Sequence, residues 1–111
     1  FGHEAGDKLI IKASNSLRKV VSNRVHAFRM GGDEFLIVAE NVTKEETDNI
    51  KKRWEEELAR LNTADDGIEC IIAVGVAYGE KGYDYSDLLK LADDRMYEDK
   101  KAKKKPGEEI R

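Results

Sequence analysis

The stretch Arg29-Met30-Gly31-Gly32-Asp33-Glu34-Phe35-Leu36-Ile37-Val38-Ala39 decides how the chain is read. Phe35 to Ala39 is a continuous apolar run, too short for a helix and apolar at both parities, which is what a strand covered on both faces requires. It predicts a central strand, or one close to the centre. Val25 to Met30 is a second short extended run, and the pair Gly31-Gly32 between the two signals a hairpin turn. Asp33 and Glu34 therefore stand directly after a glycine pair at a hairpin tip. Glycine lets the main chain come close to a bulky polar group. Adjacent carboxylates can give Mg²⁺ the one or two protein oxygens it needs, water and phosphate supplying the others. On the residues alone this pattern suits a metal-nucleotide site, although an ordinary polar hairpin tip is the simpler reading.

Working outward, Leu9, Ile10, Ala13, Leu17, Val20 and Val21 recur at threes and fours and predict a helix over about 7–22. Thr43 followed by Glu46 is a capping box, so a helix over about 44–62 is expected, with Ile50, Trp54, Leu58 and Leu61 on its buried face. Trp54 reads as core. Residues 62–67 form a loop, and 68–78 is rich in Ile, Val and Ala, a strand whose Gly75 marks a close backbone approach. Gly79 to Tyr83 is a turn. A last helix from about Ser86 carries Leu88, Leu89, Ala92 and Met96 and runs into Lys100, Lys101, Lys103, Lys104 and Lys105, cations suited to a helix C-terminus, before Pro106 and Gly107 stop it. The order predicts an α/β (α+β) sandwich with helices packed on a sheet. Three strands make a thin sheet for so much apolar helix surface, and a further strand is expected at the front.

With 111 residues the chain is one domain, residues 1–111. Charged residues are 39% of it, yet 20 Lys+Arg stand against 23 Asp+Glu, a net charge of -3 that argues against wholesale binding to nucleic acid. No run of eighteen apolar residues exists to span a membrane, and no signal-peptide pattern opens the sequence. Cys70 cannot form an internal disulfide and reads as an inert buried thiol, which together with the missing signal suggests the cytoplasm.

Three motifs together carry a resemblance. Gly31-Gly32-Asp33-Glu34-Phe35 spells the GGDEF signature, with Arg29 two residues upstream. Gly2-His3-Glu4-Ala5-Gly6-Asp7 resembles the Gly-His-x-x-Gly-Asp element that opens the first long helix of that family, and Ala92-Asp93-Asp94-Arg95-Met96-Tyr97-Glu98-Asp99-Lys100 resembles its Ala-Asp-x-x-Met-Tyr-x-x-Lys element. The set, in order and covering nearly the whole chain, is similar to GGDEF-domain diguanylate cyclases.

The resemblance implies a palm-like fold related to nucleotidyl cyclases and ferredoxin-like domains, with helices on a mainly antiparallel sheet. It also implies an activity. Two GTP condense into cyclic di-GMP and two pyrophosphates in a homodimer, each 3′-hydroxyl attacking the other nucleotide's α-phosphate. Asp33 matches the Mg²⁺ (or Mn²⁺) ligand, and Glu34 the second acid, near the reacting hydroxyl or the metal. Gly31 and Gly32 would let their main chain approach the phosphates. Asp7 matches the residue that reads guanine, whose paired N1 and N2 donors suit a carboxylate; without the motif it reads as a helix-capping acid. Lys100 matches a phosphate-contacting lysine, and Lys104 falls where many members carry Arg, whose fork a lysine lacks. Lys101, Lys103 and Lys105 read as a solvated helix end, and His3 as a packing residue. The input would come from an attached upstream sensory domain.

Departures matter too. Ser22 and Val25 stand where many members carry the Arg-x-x-Asp of a product-inhibition site, so none is expected. The family's first strand, with its own Asp ligand, and an Asn that shares the guanine would precede Phe1. On that ground the exact polypeptide is expected to be weakly active or inactive, its strand edges and helix faces uncovered or paired with a neighbouring copy. The competing expectation is a degenerate GGDEF module that binds GTP or a protein partner without turnover.

Overall fold

The computed structural model describes residues 2–63 and 69–103, with side chains from Lys8 onward. Its elements come in the predicted order: α1 (Gly2–Arg18), β1 (Val25–Gly31), β2 (Glu34–Glu40), α2 (Lys44–Leu61), β3 (Ala73–Gly79) and α3 (Tyr85–Lys103). The sheet order is β1-β2-β3, so the apolar run at Phe35 to Ala39 is the central strand. β1 pairs antiparallel with β2 across the hairpin, and β3 pairs parallel with it from Glu34↔Ala73 to Glu40↔Gly79. The sheet is thus mixed, where a mainly antiparallel one was expected. The second edge of β2 is covered by β3. Main-chain donors and acceptors in a fully buried strand need partners, and β3 supplies them.

Side-chain alternation splits the core into two layers. Phe35, Ile37 and Ala39 pack with Ala13, Leu17, Ile50 and Trp54 on the α1–α2 face. Leu36 and Val38 pack with Ala73, Ala77, Leu88, Ala92 and Met96 on the α3 face. α3 comes so close to β3 at Gly75 that an added Cβ would lie 1.7 Å from the Ala92 carbonyl oxygen. Only glycine fits there, as the sequence suggested.

The capping box is formed: the Thr43 hydroxyl accepts from the Glu46 N–H at 3.1 Å, and the Glu46 carboxylate accepts from the Thr43 N–H at 3.3 Å. Such a cap contributes about 1 kcal/mol. Trp54 is core, and its Nε1 donates to Ser16 Oγ at 3.0 Å, joining α2 to α1.

Three boundaries differ from expectation by more than one residue. α1 starts at Gly2 and ends at Arg18, four residues before the predicted end, because the Val20 and Val21 N–H groups both turn back to the Leu17 carbonyl and close the last turn. β3 starts at Ala73 where 68 was expected, with residue 68 itself outside the described residues. The Asn62 side-chain amide clamps the Cys70 main chain on both sides, accepting from its N–H at 2.8 Å and donating to its carbonyl at 2.9 Å, so the approach to β3 runs on loop hydrogen bonds. Cys70 itself is buried, and burial pushes its thiol above the usual range, the behaviour of an inert cysteine.

Candidate functional site

The hairpin that carries the acidic pair is irregular at its end. Arg29 pairs with Phe35 and Gly31 with Glu34, which leaves Met30 as an extra residue on β1. Bulges of this kind re-aim side chains. The turn is consequently Gly32-Asp33, one residue later than the glycine pair suggested. A Cβ on Gly31 would fall 2.6 Å from Glu34 Oε1, so the space Gly31 leaves is taken by the Glu34 carboxylate. Gly32 has nothing within 4 Å of its Cβ position and keeps an open face beside Asp33.

The two carboxylates differ in exposure. Asp33 presents 59% of its side chain to solvent, and Glu34 only 9%. The Asp33 carbonyl accepts from the Ala73 N–H at 2.8 Å, which ties the tip to the start of β3. From α3, the Lys100 ammonium donates to Glu34 Oε2 at 2.9 Å and lies 3.5 Å from Asp33 Oδ1. The hydrogen bond to Glu34, reinforced by the charges of Asp33 and Glu34, holds Lys100 above the usual lysine range. Three of the residues singled out in the sequence are therefore brought together across 66 positions of chain.

Among the described residues no group of three or more His, Cys, Asp and Glu could hold a metal ion unaided. Two carboxylates, one well exposed, still suit Mg²⁺ or Mn²⁺, which takes one or two protein oxygens and completes its shell with phosphate and water. Asp33 and Glu34 would be the residues to hold such a cation, with the Lys100 ammonium beside them.

Asp7 lies within α1, five residues after its first residue. It is inside the helix, so it is not the N-cap; its side chain, like that of His3, lies outside the described residues. Lys104, Lys105, Pro106 and Gly107 lie outside them altogether. Val25 is core, and Ser22 Oγ accepts from the Arg24 N–H.

Sequence reasoning missed a line of residues on α3. Arg95 donates to the Val76 carbonyl at 2.8 Å, Asp99 accepts from the Val74 N–H at 2.8 Å, and Lys103 donates to the Ile72 carbonyl at 2.9 Å. Lys103 is exposed at the helix end, as expected, yet it is tied down there: it also bonds Asp99 at 2.8 Å and lies 5.8 Å from the Trp54 ring centre. These side chains cover main-chain groups on the outer edge of β3. The recurrence at 95, 99 and 103 was the signal available, since a spacing of four aligns side chains on one helix face.

The profile of the family described as diguanylate cyclase, GGDEF domain, matches residues 1–106. The chain belongs to the GGDEF family. This GGDEF domain is 32% identical over 101 residues to Diguanylate cyclase DosC of Escherichia coli, the match covering 87% of the chain and 22% of that protein. It is 26% identical over 102 residues to a diguanylate cyclase of Vibrio cholerae, covering 91% of the chain and 32% of the relative. With the signaling protein YkoW of Bacillus subtilis it shares 31% identity over 108 residues, 94% of the chain and 14% of the relative. The GGDEF domain thus spans no more than a third of the length of these proteins. No solved structure matches it significantly. No helix among its described residues is long and apolar enough to cross a membrane.

Proposed function

We propose that this GGDEF domain condenses two molecules of GTP into cyclic di-GMP with release of two pyrophosphates, working as a homodimer under an attached sensory domain. Each 3′-hydroxyl attacks the α-phosphorus of the other nucleotide, and the bond to the leaving pyrophosphate breaks. Asp33 holds Mg²⁺ or Mn²⁺, with Glu34 beside it. A bound cation offsets the negative charge that the phosphates carry into the transition state. Lys100 adds a point charge on the phosphates, joined by Lys104 in the same role. Gly32, open on its Cβ side, lets its main chain approach them, and Gly31 makes room for the Glu34 carboxylate. Asp7 accepts from guanine N1 and N2, which gives GTP its preference.

The observation that supports this reading best is the meeting of Lys100 with Asp33 and Glu34 at a hairpin tip that is open on its Gly32 side. Incubation of the whole gene product with GTP and Mg²⁺, followed by chromatography, tests it. Cyclic di-GMP with two pyrophosphates per product is expected. A folded, dimeric sample that binds GTP and forms no cyclic di-GMP overturns the reading.

A further inference from the structure

We propose that Lys100 is the resident counter-ion of the acidic tip: its ammonium holds the place beside Asp33 and Glu34 that a divalent cation takes, so that cation entry and release of Lys100 toward phosphate are one exchange. This rests on reading Asp33 as the cation ligand. The Glu34 carboxylate is nearly out of contact with water, its side chain 9% exposed, and a carboxylate so placed requires a positive partner. Lys100 provides it at 2.9 Å while reaching toward Asp33 at 3.5 Å.

Charge arithmetic makes the two partners alternatives. Two carboxylates and one ammonium sum to about -1, two carboxylates and a divalent ion to about 0, and all four together to about +1, with the two cations repelling at close range. An ammonium on a four-carbon stem can leave by rotating its own bonds, whereas an Arg fork seated on both acids would have to break paired bonds. The neighbouring carboxylates on α3 are already engaged, Asp99 by the Val74 N–H and Lys103 and Glu98 by Lys101 at 3.5 Å, so the exchange does not end in a simple hop along the helix. Phosphate oxygens brought in with the nucleotide are the natural destination for the displaced ammonium. Cation and nucleotide are then taken up together, and the cation alone binds weakly because it must expel Lys100 with nothing to receive it.

The exchange is tested without nucleotide and without turnover, by titrating the whole gene product with Mn²⁺ at fixed ionic strength and following free Mn²⁺ by electron spin resonance. Lys100→Met and Lys100→Gln are expected to bind Mn²⁺ about tenfold more tightly than the wild type, the loss of one charge-assisted hydrogen bond that the ion no longer has to break. A lysine that serves only as a phosphate contact leaves Mn²⁺ affinity unchanged in this experiment. Equal or weaker binding by both variants, with Asp33→Asn still abolishing it, overturns the exchange and leaves Asp33 as the ligand. Mn²⁺ binding that survives Asp33→Asn, or is absent from every form, removes the ligand reading and the exchange with it. In the wild type, which needs no substitution to fold, saturating Mn²⁺ is expected to speed acetylation of Lys100 by acetic anhydride several-fold, read by mass spectrometry. An unchanged rate under Mn²⁺ counts against the exchange.

Discussion

The two ends of β2 carry the same residue on the same face, Glu34 at one and Glu40 at the other, and treat it differently. Glu40 accepts from His26 Nε2 at 2.7 Å and from the Tyr83 hydroxyl, both on ring side chains with few rotatable bonds. Tyr83 is itself seated against Gly79, whose added Cβ would lie 2.4 Å from the ring. The clasp joins β1, β2 and the turn between β3 and α3, and its hydrogen bonds, Tyr83 first and then His26, hold the Glu40 carboxyl below the usual range. Glu34 is met instead by a long, flexible ammonium from the far end of α3, beside a well-exposed Asp33. A carboxylate fixed by rings is a fastener. One balanced by a mobile charge next to an open acid can change partners, and on the proposed reading that difference gives one end of the strand to structure and the other to chemistry.

The contrast is broken most sharply at Asp33. Asp33→Ala is expected to lower affinity for Mg²⁺–GTP by about a hundredfold or more, since it removes the proposed cation ligand. Its melting temperature should hardly move, because the side chain is exposed and the carbonyl that bonds Ala73 is retained. Calorimetry and a thermal melt on the same sample check both halves, and a large fall in stability with unchanged affinity would reverse the assignment of the two ends. The converse test is Tyr83→Phe. It should lower the melting temperature by a few degrees through loss of the hydroxyl that Glu40 accepts, and leave Mg²⁺–GTP affinity within about twofold of wild type.

A smaller effect separates the ends by pH. Glu40 is depressed in the folded chain, so its contribution is present above the ordinary glutamate pKa of about 4.3 and is lost as pH falls through and below that value. Thermal melts taken from about pH 6 down to pH 3 should show this acid loss shrinking in Tyr83→Phe. Lys100 is raised, so its contribution is complete below the ordinary lysine pKa of about 10.4 and is lost as pH rises past it. Lys100→Met should flatten the alkaline side of the melt profile.

Much of this was legible in the sequence because it depends on near neighbours. The both-parity apolar run at Phe35 to Ala39 announced a strand buried on two faces, Thr43 with Glu46 announced a helix start, and Gly75 announced a close approach. The family motifs singled out Asp33, Glu34 and Lys100 as well. The bulge at Met30 was not legible, since whether an extra residue is tolerated depends on the partner strand's register. The bonds made by the exposed Lys103 were not legible for a related reason: in a row of lysines, nothing local distinguishes the one whose ammonium reaches the Ile72 carbonyl.

By itself the sequence determined the element order, the two apolar faces of the central strand and the acidic hairpin end, all of which follow from periodicity and turn chemistry within a few residues. Only the tertiary structure decided that β3 lies parallel against β2, that Arg95, Asp99 and Lys103 cover its outer edge, and that Lys100 closes on Asp33 and Glu34. The physical reason is range. Backbone preference acts along the chain, whereas strand neighbours and ion pairs between residues 66 apart are set by how the helices pack on the sheet.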